Sequence, residues 1–241
     1  MCTVTFLPRK RGYALAMNRD EKLSRMAGLP PAKKIVNGCT LLAPSEPGGG
    51  TWVGINQSGI SFALINWYAI TARVRSQLLS RGQVVMATGT ASSPKIAANL
   101  LAQLPLKHIN PFRLVGVFPS SQEIIQWQWD LKELVRKDHG WQAQQWISSG
   151  FDEREAQRVR GENFQQALKQ KSTGTLDWLR RLHCSHSPDA GPFSTCMHRG
   201  DAATVSYTEL VLSGQTGSVR YLGDAPCCAT KAFCKRLRVI V

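Results

Sequence analysis

The chain has 241 residues, 30 Lys and Arg against 16 Asp and Glu for a formal net charge of +14, and seven cysteines. With 43% hydrophobic and 19% charged residues it is not a disordered chain, and no run approaches the roughly 18 apolar residues of a membrane-spanning helix. The positive excess is spread along the sequence and comes with neither a basic helix nor an aromatic RNA-binding motif, so it reads as solvated surface with a non-specific attraction for polyanions or acidic ligands, and no specific nucleic-acid partner is expected.

The opening apolar stretch, Val4 to Leu7, is cut at once by Pro8, Arg9, Lys10 and Arg11, which argues against a secretory signal. A reducing compartment, the cytoplasm, is therefore expected, with free thiols and no disulfide framework. In chain order, Cys2 to Leu7 and Tyr13 to Met17 form a predicted β-hairpin around a turn at Pro8 to Gly12, its second strand stopping at Asn18-Arg19-Asp20-Glu21. Residues 22–50 read as a Pro- and Gly-rich connection. A second hairpin follows, Thr51 to Ile55 and Ile60 to Trp67, turning at Asn56 to Gly59.

Ser93-Pro94 predicts a capped helix start, with Ile96, Ala97, Leu100, Leu101 and Leu104 at helical spacing until Pro105. Leu114 to Phe118 and Glu123 to Trp129 alternate like strands. Asp152 to Lys171 reads as an exposed polar helix, and Leu176, Leu179 and Leu182 mark a short amphipathic one. Strand character returns at Ala203 to Leu212 and Ser218 to Leu222. No repeat, low-complexity linker or domain boundary interrupts this, so one α+β domain spanning 1–241 is expected.

Met1-Cys2 is the chemically suggestive dipeptide. If Met1 is excised, an α-amine of pKa about 7.7–8.0 lies beside a thiol of about 8.5, and nucleophile and general base share one residue. A hairpin returns the end of its second strand to the start of its first, so Asn18 to Glu21 come back beside Cys2. A cation there would stabilise a thiolate, and a carboxylate would orient the amine. The competing reading of the same residues is a small buried thiol and an ordinary polar turn.

Met1-Cys2-Thr3, Asn18-Arg19-Asp20-Glu21, Gly49-Gly50-Thr51-Trp52-Val53-Gly54-Ile55, Leu64-Ile65-Asn66-Trp67 and Ser80-Arg81-Gly82 together resemble the NRDE family, also called the transport and Golgi organisation family. That family is similar in layout to N-terminal-nucleophile hydrolases of the choloylglycine hydrolase and penicillin acylase type. The resemblance implies an αββα sandwich of two mostly antiparallel sheets flanked by helices. It implies Cys2 as nucleophile, Arg19 and Asp20 beside it, Asn66 at the oxyanion and Arg199 as a late arginine near the site. Counting without a gap puts Asn18 and Glu21 at the arginine and carboxylate positions instead. Asn18, Glu21, Trp52 and Trp67 are thus the residues expected on the substrate side. Ile147-Ser148-Ser149-Gly150 stands where those hydrolases carry a further asparagine, a departure that would remove one oxyanion donor.

Two functions follow: hydrolysis of an amide or related acyl bond, or non-catalytic carriage of a haem-like or lipid-like amphiphile. His183, Cys184, His186, Cys196 and His198 are ligand types for zinc or haem iron. Their spacing is not the usual Cys-x2-Cys or His-x3-His, so they are expected to be structural thiols and loop histidines, with no metal and no cofactor. Cys227, Cys228 and Cys234 have no histidine near in sequence and are expected to pack or face solvent.

Overall fold

Alternation decides the first hairpin. In the computed structural model, which describes residues 2–240, β1 (Cys2–Arg9) and β2 (Gly12–Lys22) pair antiparallel. Cys2, Val4, Phe6, Tyr13, Leu15 and Met17 fall on one face and join the core between two sheets. Ala14 and Ala16 fall on the other, under helices. Leu15 and Met17 are fully buried, each contributing roughly 1.5–3 kcal/mol of transfer free energy.

The remaining elements are β3 (Leu29–Val36), β4 (Cys39–Ser45), β5 (Val53–Asn56), β6 (Ser61–Asn66), α1 (Gly82–Thr88), α2 (Pro94–Ala102), β7 (Phe112–Phe118), β8 (Glu123–Trp129), β9 (Leu134–His139), β10 (Gln144–Ser148), α3 (Glu153–Leu168), α4 (Leu176–Cys184), β11 (Ala202–Ser213), β12 (Thr216–Leu222) and β13 (Ala232–Arg238). One sheet has the order β10-β1-β2-β11-β12-β13 and the other runs β3 to β9 in sequence order. Every strand pair is antiparallel. Phe164, Trp178, Leu179 and Leu182 of α3 and α4 cover the outer face of the first sheet. Val84, Val85, Ala97 and Leu101 of α1 and α2 cover that of the second. The expected αββα sandwich is the fold.

Two local expectations are corrected. Asn18 to Glu21 do not end β2, which runs through them to Lys22; β11 pairs along their far side and satisfies their backbone. Residues 22–50 are not a bare connection, because β3 and β4 form a hairpin there. Its turn is Asn37-Gly38, both at positive φ (46° and 76°), the residue pair that a two-residue hairpin turn favours. The helix starts follow their caps: the side chains of Ser93, Asp152 and Thr175 accept from the backbone N–H of Ile96, Glu155 and Trp178. α3 is exposed on only one side, and its inner face buries Ala156, Val159, Arg160, Phe164 and Ala167.

Candidate active site

Cys2 opens β1, and the strand register sets it beside Arg19 on β2 and Ser148 on β10. It lies at a cavity of about 400 Å3 that draws its walls from both sheets. The first sheet supplies Cys2, Arg19, Asp20 and Glu21, and the second supplies Thr51, Trp52, Leu64 and Asn66 with the segment from Leu78 to Gly82. Burial pushes the Cys2 thiol above its ordinary pKa and the Asp20 carboxylate adds to this, while Arg19 and a backbone hydrogen bond from Asp20 act the other way.

Arg19 and Asp20 are adjacent in sequence and differently held. The Arg19 guanidinium lies 4.6 Å over the Trp52 ring and 3.2 Å from Glu46 Oε1. Arg25 bridges Glu46 and Glu21 at 2.8 and 2.7 Å, so cations and carboxylates alternate along the rim. Burial works to raise the Glu21 carboxyl, but the Lys22 N–H, Arg25 and Arg19 outweigh it and hold the group below the usual range. Asp20 is fixed from behind the sheet. Arg160 Nη1 on α3 donates to Asp20 Oδ2 at 3.1 Å and to Thr3 Oγ1 at 2.7 Å, and Thr204 Oγ1 on β11 donates to Asp20 Oδ1 at 2.7 Å. Both side chains of the Arg160–Asp20 pair are fully buried, so removing either partner would strand a charge.

Asn66 lines the cavity from the end of β6 and donates through Nδ2 to the Tyr68 hydroxyl at 2.8 Å. Ser148 donates its hydroxyl to the Asn66 carbonyl at 2.6 Å. The serine that stands where an asparagine was expected therefore pins the Asn66 backbone. The glycines of the two quoted motifs explain each other: Thr51 N–H donates to Gly82 O at 3.3 Å, and a Cβ on Gly82 would stand 2.9 Å from Gly50 Cα. Only glycine lets these two backbones approach so closely, and the approach brings Trp52 and Arg81 to one wall.

Cys2, Arg19, Asp20, Glu21, Trp52 and Asn66 thus share one cavity. Asn18, expected on the substrate side, is corrected: it is fully buried on the opposite face, where Nδ2 donates to His183 O and Thr195 O. Its position alternates with Arg19, and a strand sends neighbours to opposite faces. Trp67 lies beyond the end of β6 and is not a wall of the cavity. Arg199 is likewise outside it, stacked 4.6 Å from the Phe151 ring and paired with Asp201.

Sequence reasoning missed Arg25, Glu46, Arg81 and Arg160. Arg81 sat in a quoted motif without a role; burial lowers its pKa, and Nη1 donates to Pro111 O at 3.3 Å. Nothing local marks Arg160, which meets Asp20 across 140 positions.

Residues 1–134 match the family described as Transport and Golgi organisation 2. The chain belongs to that family. The matched part holds Cys2 and every cavity wall named above, whereas Ser148, Arg160 and Thr204 of this family member lie beyond it. No curated protein matches the chain in sequence. In structure it is similar to a mutant conjugated bile acid hydrolase from Clostridium perfringens, with a TM-score of 0.61 at 9% identity over 98% of this chain and 92% of that one. It is also similar to the penicillin V acylase from Agrobacterium tumefaciens, with a TM-score of 0.58 at 11% identity over 99% of this chain and 86% of the acylase. At these identities the likeness shows the fold.

Proposed function

We propose that this family member is an N-terminal-nucleophile amidohydrolase acting on a small acyl substrate, with Cys2 as nucleophile after Met1 is removed. The observation that carries the reading is the position of Cys2: first residue of β1, thiol at a cavity, Arg19 at the neighbouring register position and a buried, doubly held Asp20 beside it. In the first step the freed α-amine takes the thiol proton and the sulfur forms a bond to the carbonyl carbon. Asn66 Nδ2 and backbone N–H groups are the donors for the oxyanion, Arg19 stabilises the thiolate, and Asp20 orients the amine. The proton then passes to the departing amine as the C–N bond breaks, and water cleaves the thioester, returning the thiol and releasing the acid.

The cavity also narrows the substrate class. Arg19 and Arg25 are matched by Glu21 and Glu46, whereas Arg81 has no carboxylate partner among the described residues and hydrogen-bonds to a carbonyl oxygen. An acyl substrate bearing a carboxylate would complete that guanidinium. Since Cys2 works only as a free thiol, a reducing compartment, the cytoplasm, belongs to the same reading.

Intact mass of the purified protein should show Met1 absent, and an acyl-substrate panel should show turnover that Cys2→Ala lowers by at least about a thousandfold. Retained Met1, or equal turnover in the variant, sinks the proposal. A Soret change on haem titration without turnover would favour a carrier instead. Among the described residues the cavity lining offers haem iron no histidine, and a haem there would have to take the Cys2 thiolate.

A further inference from the structure

A second cluster lies outside the cavity, drawn from the connection between α4 and β11 and from that between β12 and β13. His186 follows α4, Cys196 and His198 sit on the loop before β11, and Cys227 sits on the connection between β12 and β13. His186 Nε2 is 3.1 Å from His198 Nε2, Cys196 Sγ is 3.5 Å from Cys227 Sγ, and His198 Nε2 is 3.7 Å from Cys196 Sγ and 3.4 Å from Cys227 Sγ. All four ligand atoms lie within 4.8 Å of one another. A tetrahedral zinc with bonds of about 2.3 Å to sulfur and 2.0–2.1 Å to nitrogen requires edges of about 3.8 Å between sulfurs, 3.5 Å between sulfur and nitrogen and 3.3 Å between nitrogens. Four of the six edges come within about 0.3 Å of those lengths and the other two stay within 4.8 Å; the mixture of atoms is the right one, and the two thiolates would neutralise the cation.

We propose that His186, Cys196, His198 and Cys227 form a structural zinc site of the Cys2His2 type. Two thiols and two imidazoles in a tetrahedron select zinc over magnesium or calcium, which take oxygen ligands. Binding converts two thiols to thiolates and releases two protons. Three of the four ligands sit on backbone that is already held: Cys196 N–H donates to Ser185 O at 2.9 Å, His198 N–H to Gly191 O at 3.1 Å, and the turn bearing Cys227 is closed by Cys228 N–H on Ala225 O at 2.9 Å. The proposal departs from the sequence expectation of structural thiols here; Cys227 is exposed as expected, but the fold brings it a histidine from 29 positions away. His183 takes no part, being buried against Asn18 and Thr5.

The site staples the loop that supports the cavity from behind. Pro192 and Phe193 offer their carbonyls to Arg160, and Met197 exchanges two hydrogen bonds with Thr204, the partner of Asp20. Zinc therefore holds a positioning loop and leaves the nucleophile untouched.

The test uses the full chain purified without chelator under reducing conditions. Elemental analysis should find one zinc per chain. The metal-stripped protein should bind cobalt(II) with tetrahedral d–d bands and thiolate-to-metal charge transfer, both erased by zinc. Cys228 Sγ is 3.3 Å from Cys227 Sγ and could stand in for it, so the variant is Cys227→Ser with Cys228→Ser, and Cys234→Ser is the control. The double variant should lose at least the roughly 10–100-fold in zinc affinity that loss of an outer-shell partner costs, and the control should bind as wild type. Wild-type protein that takes up no tetrahedral cobalt, a double variant that binds normally, or a Cys196–Cys227 disulfide in the reduced preparation overturns the proposal. The cobalt spectrum of the wild type needs no variant to fold.

Discussion

His183 lies with Nδ1 3.0 Å from Asn18 Oδ1 and Nε2 3.0 Å from Thr5 Oγ1, entirely shielded from water. Burial first, and then the Arg160 charge, lower its pKa to about 3, so it stays neutral in the folded protein where the unfolded chain would take up a proton near pH 6.5. The folded value is depressed for a basic group, so its contribution is complete above pH 6.5 and is lost progressively as pH falls from there toward 3. The slope in that window is up to about 1.4 kcal/mol per pH unit. Urea titrations at stepped pH should show it, and His183→Gln should flatten it while lowering stability at pH 8. An unchanged slope in the variant would assign the acid sensitivity elsewhere. At this scale the sequence was informative wherever partners are neighbours in a hairpin: Cys2 and Arg19 meet because the strand register makes them meet. Arg160 was illegible because only the docking of α3 on the first sheet brings it under Asp20, and Cys227 because only the packing of the β12–β13 connection on the loop before β11 brings it to His198.

Elements carry the next constraint, at the contact between Gly50 and Gly82. Gly82→Ala would put a methyl group 2.9 Å from Gly50 Cα and 3.0 Å from Thr51 N. Backbone cannot swing aside as a side chain does, so α1 or the turn before β5 must shift. The expected cost is about 1–3 kcal/mol in denaturant unfolding, together with a larger fall in kcat/KM than in stability, since Trp52 and Arg81 move with those backbones. Gly161 faces open space, and Gly161→Ala is the control that should leave activity unchanged. Most elements could be read from alternation and caps: the hairpins of β1–β2 and β5–β6, and the cap at Ser93. The β3–β4 hairpin could not be read that way. Pro30, Pro31, Lys33 and Lys34 break the alternation, which an edge strand tolerates because one of its sides pairs with nothing. The signal that could have found it was Asn37-Gly38. β9 and β13 were missed on the same grounds, being edge strands of charged sequence.

Those edges also give the spread of charge a place in the whole molecule. Lys235, Arg236 and Arg238 stand exposed on β13, Arg136 and Lys137 on β9, and Lys33 on β3. Three of the four sheet margins thus repel a second copy that would otherwise continue the ladder. Replacing Lys235, Arg236 and Arg238 by serine lowers the net charge from +14 to +11, and should leave unfolding stability nearly unaltered while increasing self-association in sedimentation velocity. Wild type should approach the variant as salt is raised. Equal association at low salt would mean that edge charge has no such task.

The sheet order has one more consequence, in the timing of synthesis. Cys2 is translated near the start of this chain, and Arg19 follows within the same hairpin. Its neighbour across β1, Ser148, and the groups that fix Asp20, Arg160 and Thr204, come from the last hundred residues. While the first half leaves the ribosome, the thiol has a cation beside it on β2 but no anchored carboxylate and no strand on the other side of β1. The nucleophile therefore acquires its surroundings only when β10, α3 and β11 close around β1 and β2, and a truncated or half-folded chain carries an unequipped cysteine.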